Sequence, residues 1–346
     1  MRATRAPSAA ARIPLRMQDA TALPARMRAE LWLARLARHW HRRRPRTLEA
    51  APEQAFEVHA ISPAASPPAA PAGAGGGIPR ILWTYWNSER PPAMIRACFE
   101  NWRRHAEGFE LRILDDRSLS RWAPERPPGL AGAGAVKTAD WLRLELLRRH
   151  GGIWLDASSL LTRSPEWAVA EQARSGSEFV GYYLKRYTTL PRYPVVENWF
   201  MAAPAGSRFV ADLQREFTDQ VVAASNEDYI RHLTAAGLYE RVRQGIDIPH
   251  YLSMHLAAQV VMQTRGGYRL SLCAAEDGPF FYHEASGWNR NRLRARLLLR
   301  QADAPVPALV KLRKPDRRRL DTYLAHGIAL PGSFLDRYLP DAGAQD

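Results

Sequence analysis

Asp140, Arg143 and Asp156 are the residues best placed to do chemistry in this chain, because all three stand next to apolar runs of the segment 137–162. Taking two carboxylates and a guanidinium out of water costs free energy that only a ligand or a structural partner repays. Asp140 and Arg143 lie three residues apart, which puts them on one face of a helix. Trp141, Leu144 and Leu147, flanked by Leu142 and Leu146, recur at the helical interval that this reading needs. Gly151 and Gly152 follow the basic last turn Arg148, Arg149, His150 and end that helix as a permissive cap. Ile153, Trp154 and Leu155 then form a short buried strand. Asp156 falls at its carboxyl end, where open α/β sheets place their ligands.

The elements that position this block alternate along the chain. A dense β-prone run at 81–86 is followed by a Pro-Pro turn and a helix over 93–104. A second strand over 109–114 ends on Asp115 and Asp116. Strand, helix, strand, helix, strand predicts an α/β fold with a mainly parallel sheet flanked by helices. Beyond it, short strands are expected at 179–183 and 198–202, helices at 207–222, 226–243 and 252–264, and extended chain at 266–271 and 279–283. The tail from residue 290 reads as helical in two pieces, interrupted near Pro305 and Pro307. There is no internal repeat.

With 346 residues, 46% of them apolar and 11 of them Trp, the chain has the means to build a substantial core. Cys98 and Cys273 are too few for a disulfide framework, which favours a reducing, cytoplasmic setting. The formal charge of +14 is concentrated at the ends. Residues 1–77 hold 12 Arg against 5 acidic residues, and residues 288–319 hold 11 Lys or Arg against 2. No apolar run is long enough for a transmembrane helix, and Arg and Pro interrupt the N-terminal apolar stretches too often for a secretory signal, so export is not expected. Residues 27–44 read as a basic amphipathic helix with Leu33, Leu36 and Trp40 on one side, suited either to an anionic membrane surface or to docking. Residues 62–77, rich in Pro, Ala and Gly, read as a linker. The expected organisation is thus a basic arm over 1–61, the linker, a catalytic domain over 78–290 and a basic helical tail over 291–346.

With these elements in order, the sequence resembles the capsular polysaccharide synthesis proteins and the related glycosyltransferases that carry a sugar-binding D-x-D motif. The resemblance rests on 78–86, on Leu-Asp-Asp at 114–116, on the 137–162 block and on Asn-Trp-Phe-Met-Ala-Ala at 198–203. It implies a GT-A type fold and transfer of a sugar, expected to be a hexose, from a nucleotide-sugar donor to a cell-surface or capsular acceptor. It also implies a divalent cation, Mg²⁺ or Mn²⁺, because the negative charge of a sugar diphosphate must be neutralised as the bond to the anomeric carbon breaks. Asp156 matches the first D-x-D position. Ser158 stands at the second and removes one charge, so the ion would bind through Asp156 with waters and phosphate oxygens, or a basic group could do the neutralising instead.

The same resemblance assigns Asp140 and Arg143 to the donor sugar, since carboxylates accept from hydroxyls and guanidinium donates in a fixed fork. Trp83 and Thr84 match the site that holds the nucleotide base. Asp115 and Asp116 fit ribose contacts, and His283, Ser286 and Trp288 fit a loop that closes over the pyrophosphate. Asn198, Trp199, His250, Tyr251 and His255 are candidates for the acceptor cleft. Each position also has a plain structural reading: a turn cap for Asp156, an internal ion pair for Asp140 and Arg143, a core Trp at 83, a turn at 115–116, and ordinary packing for the rest. The partners implied are a nucleotide sugar, a glycan or lipid-linked saccharide and the inner membrane face. Two other function classes stay open, a non-catalytic protein using its basic flanks to bind nucleic acid or an anionic polysaccharide and a transferase fold without activity. No nucleic-acid motif supports the former.

Overall fold

Residues 23–62 and 76–339 are described by the computed structural model of this chain. Among the described residues nine strands form: β1 (Glu57–Ile61), β2 (Ile81–Tyr85), β3 (Glu110–Leu114), β4 (Gly152–Leu155), β5 (Ser159–Leu161), β6 (Phe179–Tyr183), β7 (Val196–Ala203), β8 (Tyr268–Ala274) and β9 (Leu309–Lys311). Seven of them make one sheet in the order β1-β8-β6-β7-β4-β2-β3, while β5 and β9 pair separately. Within the large sheet β2, β3, β4, β6 and β8 run the same way, and only β7 and β1 run against them. The α/β class expected from the alternation is present, and the sheet is mainly parallel in strand direction.

The two central strands explain why the sheet is covered on both faces. β4 is buried at every position and β2 at all but its first, the continuous apolar pattern of a sheet sandwiched between helices. Side chains alternate across it. Trp83, Trp154 and Met201 pack on one face with Trp141 and Leu144 of the helix Ala135–His150 and with Phe209 and Leu256 from the helices Arg208–Glu216 and Ser253–Thr264. Leu82, Ile153, Leu155 and Phe200 pack on the other with Ile95, Phe99 and Trp102 of the helix Ala93–His105 and Ala168 of the helix Glu166–Ser175. A third core joins Leu31 of the helix Ala25–Arg43 to Leu293 and Leu297 of the helix Arg290–Leu299 and to Val310 on β9. The N-terminal arm and the C-terminal tail therefore pack on each other.

Four local expectations change. The stretch read as one helix over 226–243 is two, Asn226–Ala235 and Tyr239–Arg243, because Gly237 sits at φ +66° between them. The aromatic run at 279–283, read as extended, instead enters a helix at Phe281–Ala285. Its Phe280 and Tyr282 are each buried in a different core, so tertiary context overrides β-propensity. Residues 57–61, read as part of the arm, form the edge strand β1 against β8. After Pro305 and Pro307 the tail does not resume a helix directly. It first forms β9, paired antiparallel to β5.

Candidate active site

The turn between the helix Ala135–His150 and β4 fixes the geometry of the site. Gly151 caps the helix at φ +64°, and Gly152 follows at φ +103°. A Cβ on Gly151 would stand 2.5 Å from the backbone nitrogen of Ala205, and one on Gly152 would stand 2.8 Å from the carbonyl oxygen of Ile81. Only glycine combines that backbone with that closeness. β4 therefore starts tight against β2 and delivers Trp154 and Asp156, two residues apart, to the face that carries the helix.

On that face the expected residues meet. The Arg143 guanidinium forms ion pairs with Asp140 Oδ1 at 2.8 Å and with Asp156 Oδ1 at 3.2 Å. The indole Nε1 of Trp154 donates to Asp156 Oδ1 at 3.0 Å, and the Arg143 guanidinium lies 5.2 Å from the Trp154 ring. Asn198 Nδ2 on β7 donates to Asp140 Oδ1 at 3.3 Å. Burial pushes the Asp140 carboxyl up, and Arg143 offsets only part of the rise. Burial acts on Asp156 in the same sense, yet Lys311 and Arg143 together outweigh it and hold this carboxyl below its ordinary value. The two carboxylates are thus driven apart in acidity by their surroundings, a pattern common at functional sites.

Lys311 was not among the residues singled out from the sequence. Its Nζ donates to Asp156 Oδ2 at 2.7 Å and to Ser158 Oγ at 3.3 Å, and its side chain is 8% exposed against 28% for Asp156. β9 brings it there by pairing Lys311 with Ser159 of β5. Glu197 is a second addition: buried beside Asn198 on β7, its Oε2 lies 3.0 Å from Nε2 of His255. Tyr251 is 65% exposed. Partial desolvation and the charges of the Asp140 and Asp156 carboxylates raise its phenol above the ordinary value.

The remaining candidates are more dispersed. Trp83 is fully buried, donates its indole Nε1 to the carbonyl of Gly151 at 2.9 Å and packs against Trp122 and His150. Its indole is thereby enclosed by the core. Thr84, on the opposite face of β2, is also buried and its hydroxyl has no hydrogen-bond partner. The aromatic that emerges where β2 ends is Trp86, half-buried, with the Arg317 guanidinium 5.4 Å from its ring. Asp115 accepts from the backbone and side chain of Ser118, which close a turn, and Asp116 accepts from the Tyr85 hydroxyl. Both line an open cavity of about 370 Å³ with Asn87 and Arg117. β2 separates β3 from β4, so the strands that end ahead of Asp116 and Asp156 lie about 10 Å apart and open onto the same sheet edge.

His283 is buried, with Nε2 2.9 Å from Asp316 Oδ2, and Arg313 also holds that carboxylate. Ser286 is buried and accepts from Arg296 at 3.0 Å. Trp288, at φ +56°, has the guanidinium groups of Arg186 and Arg313 4.4 and 5.0 Å from its ring. Trp199 points away from Asn198 and stacks on Tyr182. His250 is exposed, 3.8 Å from Glu227.

The groups around Asp156 do not suit a divalent ion as they stand. Such an ion would bridge Asp156 and Ser158, and that is where the Lys311 ammonium sits. Among the described residues no group of three or more His, Cys, Asp or Glu is gathered closely enough to hold a metal.

Residues 76–232 match the model of the family described as capsular polysaccharide synthesis protein. An O-glycosyltransferase of Phomopsis amygdali is 29% identical over 139 residues, 35% of this chain and 34% of that protein. An O-glycosyltransferase of Annulohypoxylon truncatum is 29% identical over 148 residues, 37% of this chain and 34% of that protein. The matched stretch thus spans about a third of either relative. The solved structure of the PaToxG glycosyltransferase aligns with a TM-score of 0.29 at 12% identity, over 54% of this chain and 79% of that one, a likeness too slight to bear on the fold. Over residues 76–232 the chain is similar to the capsular polysaccharide synthesis proteins and to glycosyltransferases, as the motifs around Asp156 imply.

Proposed function

We propose that this protein is a glycosyltransferase of the GT-A type that moves a sugar, expected to be a hexose, from a nucleotide-sugar donor to a cell-surface or capsular polysaccharide acceptor. The observation that carries this reading is the meeting of Asp140, Arg143, Asp156 and Asn198 at the carboxyl edge of β4. Carboxylates, an amide and a guanidinium converging there offer donors and acceptors for sugar hydroxyls. The cavity beside Asp115 and Asp116 and the half-buried Trp86 lie along the same edge, where the nucleotide would be held. Catalysis in such a site is mainly orientation and stabilisation of the departing diphosphate.

The protein would act at the inner face of the cytoplasmic membrane, where lipid-linked acceptors are presented. Trp32, Leu33, Leu36 and Trp40 are exposed on the helix Ala25–Arg43 among its Arg residues, a surface suited to anionic headgroups. Among the described residues no helix is long and apolar enough to cross a membrane.

The test is a thermal-shift panel of the full chain with UDP-glucose, GDP-mannose, CDP-glucose and CMP-sialic acid, repeated on Asp156→Asn. A ligand that binds only the native state raises the melting temperature by mass action. Stabilisation by one nucleotide class, lost in the variant, is expected. No stabilisation by any of them, with tight salt-sensitive binding to DNA or an acidic polysaccharide, would favour the polyanion-binding reading instead.

A further inference from the structure

We infer that Lys311 does in this site the work for which D-x-D transferases commonly use a divalent cation. This rests on the nucleotide-sugar reading above. Two carboxylates and a doubly charged ion sum to zero, and so do one carboxylate and one ammonium. Ser158 removes the second carboxylate of the motif, and Lys311 supplies a single positive charge between Asp156 and Ser158. The serine and the lysine are complementary changes at one locus.

The lysine is held in place by more than its charge. Lys311 pairs with Ser159 in the β5–β9 ladder, and the backbone N–H of Leu312 donates to the carbonyl of Ser158 at 3.0 Å. The motif loop and the lysine strand are therefore one hydrogen-bonded unit. An ammonium has three donors; Asp156 and Ser158 take two, and the third is left for a phosphate oxygen. A buried lysine–carboxylate pair is poor value as a stability device, because desolvation offsets its attraction. Further along the chain Arg313 and Arg317 stand beside Trp288 and Trp86, extending the positive charge from Lys311 toward the nucleotide edge.

In the transfer step the bond between the anomeric carbon and the diphosphate oxygen breaks, and its electron pair stays on the diphosphate. The acceptor hydroxyl oxygen bonds to the same carbon, and its proton is released by way of the diphosphate oxygens to water. Lys311 stabilises the charge that grows on the leaving oxygen.

The experiment follows release of nucleotide from the most stabilising sugar nucleotide of the panel, with water or a membrane extract as acceptor. Wild type is assayed in EDTA and across a Mn²⁺ titration, beside Lys311→Met, Lys311→Arg and the double variant Ser158→Asp with Lys311→Ala. Wild-type turnover should be unchanged by EDTA. Lys311→Met should lose about 100-fold or more in kcat, the cost of removing one charge-stabilising donor, with a smaller change in KM, and Lys311→Arg should recover part of it. The double variant should become dependent on Mn²⁺. Wild-type turnover abolished by EDTA and restored by Mn²⁺, or full activity in Lys311→Met, would overturn the inference while leaving the transferase reading intact. The EDTA arm needs no substitution, so a misfolded variant cannot mask the result. Absence of turnover with every donor would instead count against the transferase reading itself.

Discussion

Asn198 on β7 donates to Asp140 Oδ1 across 3.3 Å, and so ties the strand that carries the acceptor candidates to the helix that carries the donor candidates. Asp140 in turn pairs with Arg143, and Arg143 with Asp156. One chain of polar contacts therefore runs from β7 through the helix to β4, and adds to the direct pairing of β4 with β7.

Arg143 is the joint of that chain. Its side chain is 4% exposed, so Arg143→Met leaves Asp140 without its cation and Asp156 with Lys311 alone. The expected cost is about 3–5 kcal/mol, the usual penalty for stranding one side of a buried pair. Arg143→Lys should cost less stability yet still depress donor turnover, because an ammonium cannot reproduce the fork. Denaturant melts read with turnover check both; equal stability in Arg143→Met and wild type would contradict the arrangement.

Trp83 on β2 and Trp86 just beyond its end should separate cleanly. Trp83→Ala removes a fully buried indole and should cost about 3–5 kcal/mol of stability. Trp86→Ala, at the half-buried end, should leave the ligand-free melting temperature nearly unchanged but weaken nucleotide binding by about 1–3 kcal/mol, the value of one base stack. Calorimetric titration with the nucleoside diphosphate of the best donor decides this. Undiminished affinity in Trp86→Ala would remove Trp86 from the base site.

Gly152→Ala should destabilise the protein by more than about 1–2 kcal/mol, since the left-handed backbone strains an L-residue and the new methyl meets the Ile81 carbonyl. Because Gly152 opens the strand that presents Asp156, donor affinity should fall with it. A variant as stable as wild type would show that the turn tolerates a side chain.

Glu49 should carry one share of the acid sensitivity, beside Asp156 and Asp316. Hydrogen bonds from Arg296 and Arg300 bring its carboxyl from 4.5 down to about 2, against the opposing effect of burial. A depressed carboxylate stabilises the fold above its unfolded value and loses that contribution as pH falls through the folded one. The stability difference between wild type and Glu49→Gln should be constant above pH 4.5 and shrink between there and about 2. Melting temperatures measured from pH 7 downward test this; a difference that grows on acidification would contradict it.

Vesicle binding should depend on the outer face of the helix Ala25–Arg43. Replacing Trp32, Leu33, Leu36 and Trp40 with Ser should abolish co-sedimentation with phosphatidylserine vesicles and spare donor turnover. Point substitutions suit this better than truncation to residue 61, which would also remove β1 from the sheet. Unchanged sedimentation would contradict a membrane role for this face.

Much of the site was readable because its strongest signals are local. The helix spacing, the Gly151–Gly152 break and the apolar run before Asp156 lie within one stretch, and periodicity with glycine chemistry suffices to order them. Lys311 was not readable. It sits in an Arg-rich tail where nothing local distinguishes it, and it reaches Asp156, 155 residues distant in sequence, only through the pairing of β9 with β5. Its one signal was indirect: a missing acid at Ser158 leaves a charge to be balanced. Trp83 shows the opposite case, since residue type and strand position suit both stacking and packing, and only burial separates them.

The most direct test of the central claim is donor consumption. The full chain is incubated with the best-binding sugar nucleotide and a membrane fraction containing lipid-linked saccharides, and both free nucleotide and glycan mass are followed by mass spectrometry. Release of the nucleoside diphosphate matched by a one-sugar increase in glycan mass, absent with Asp156→Asn, is the predicted result. Intact donor and unchanged glycan with folded wild-type protein would contradict it.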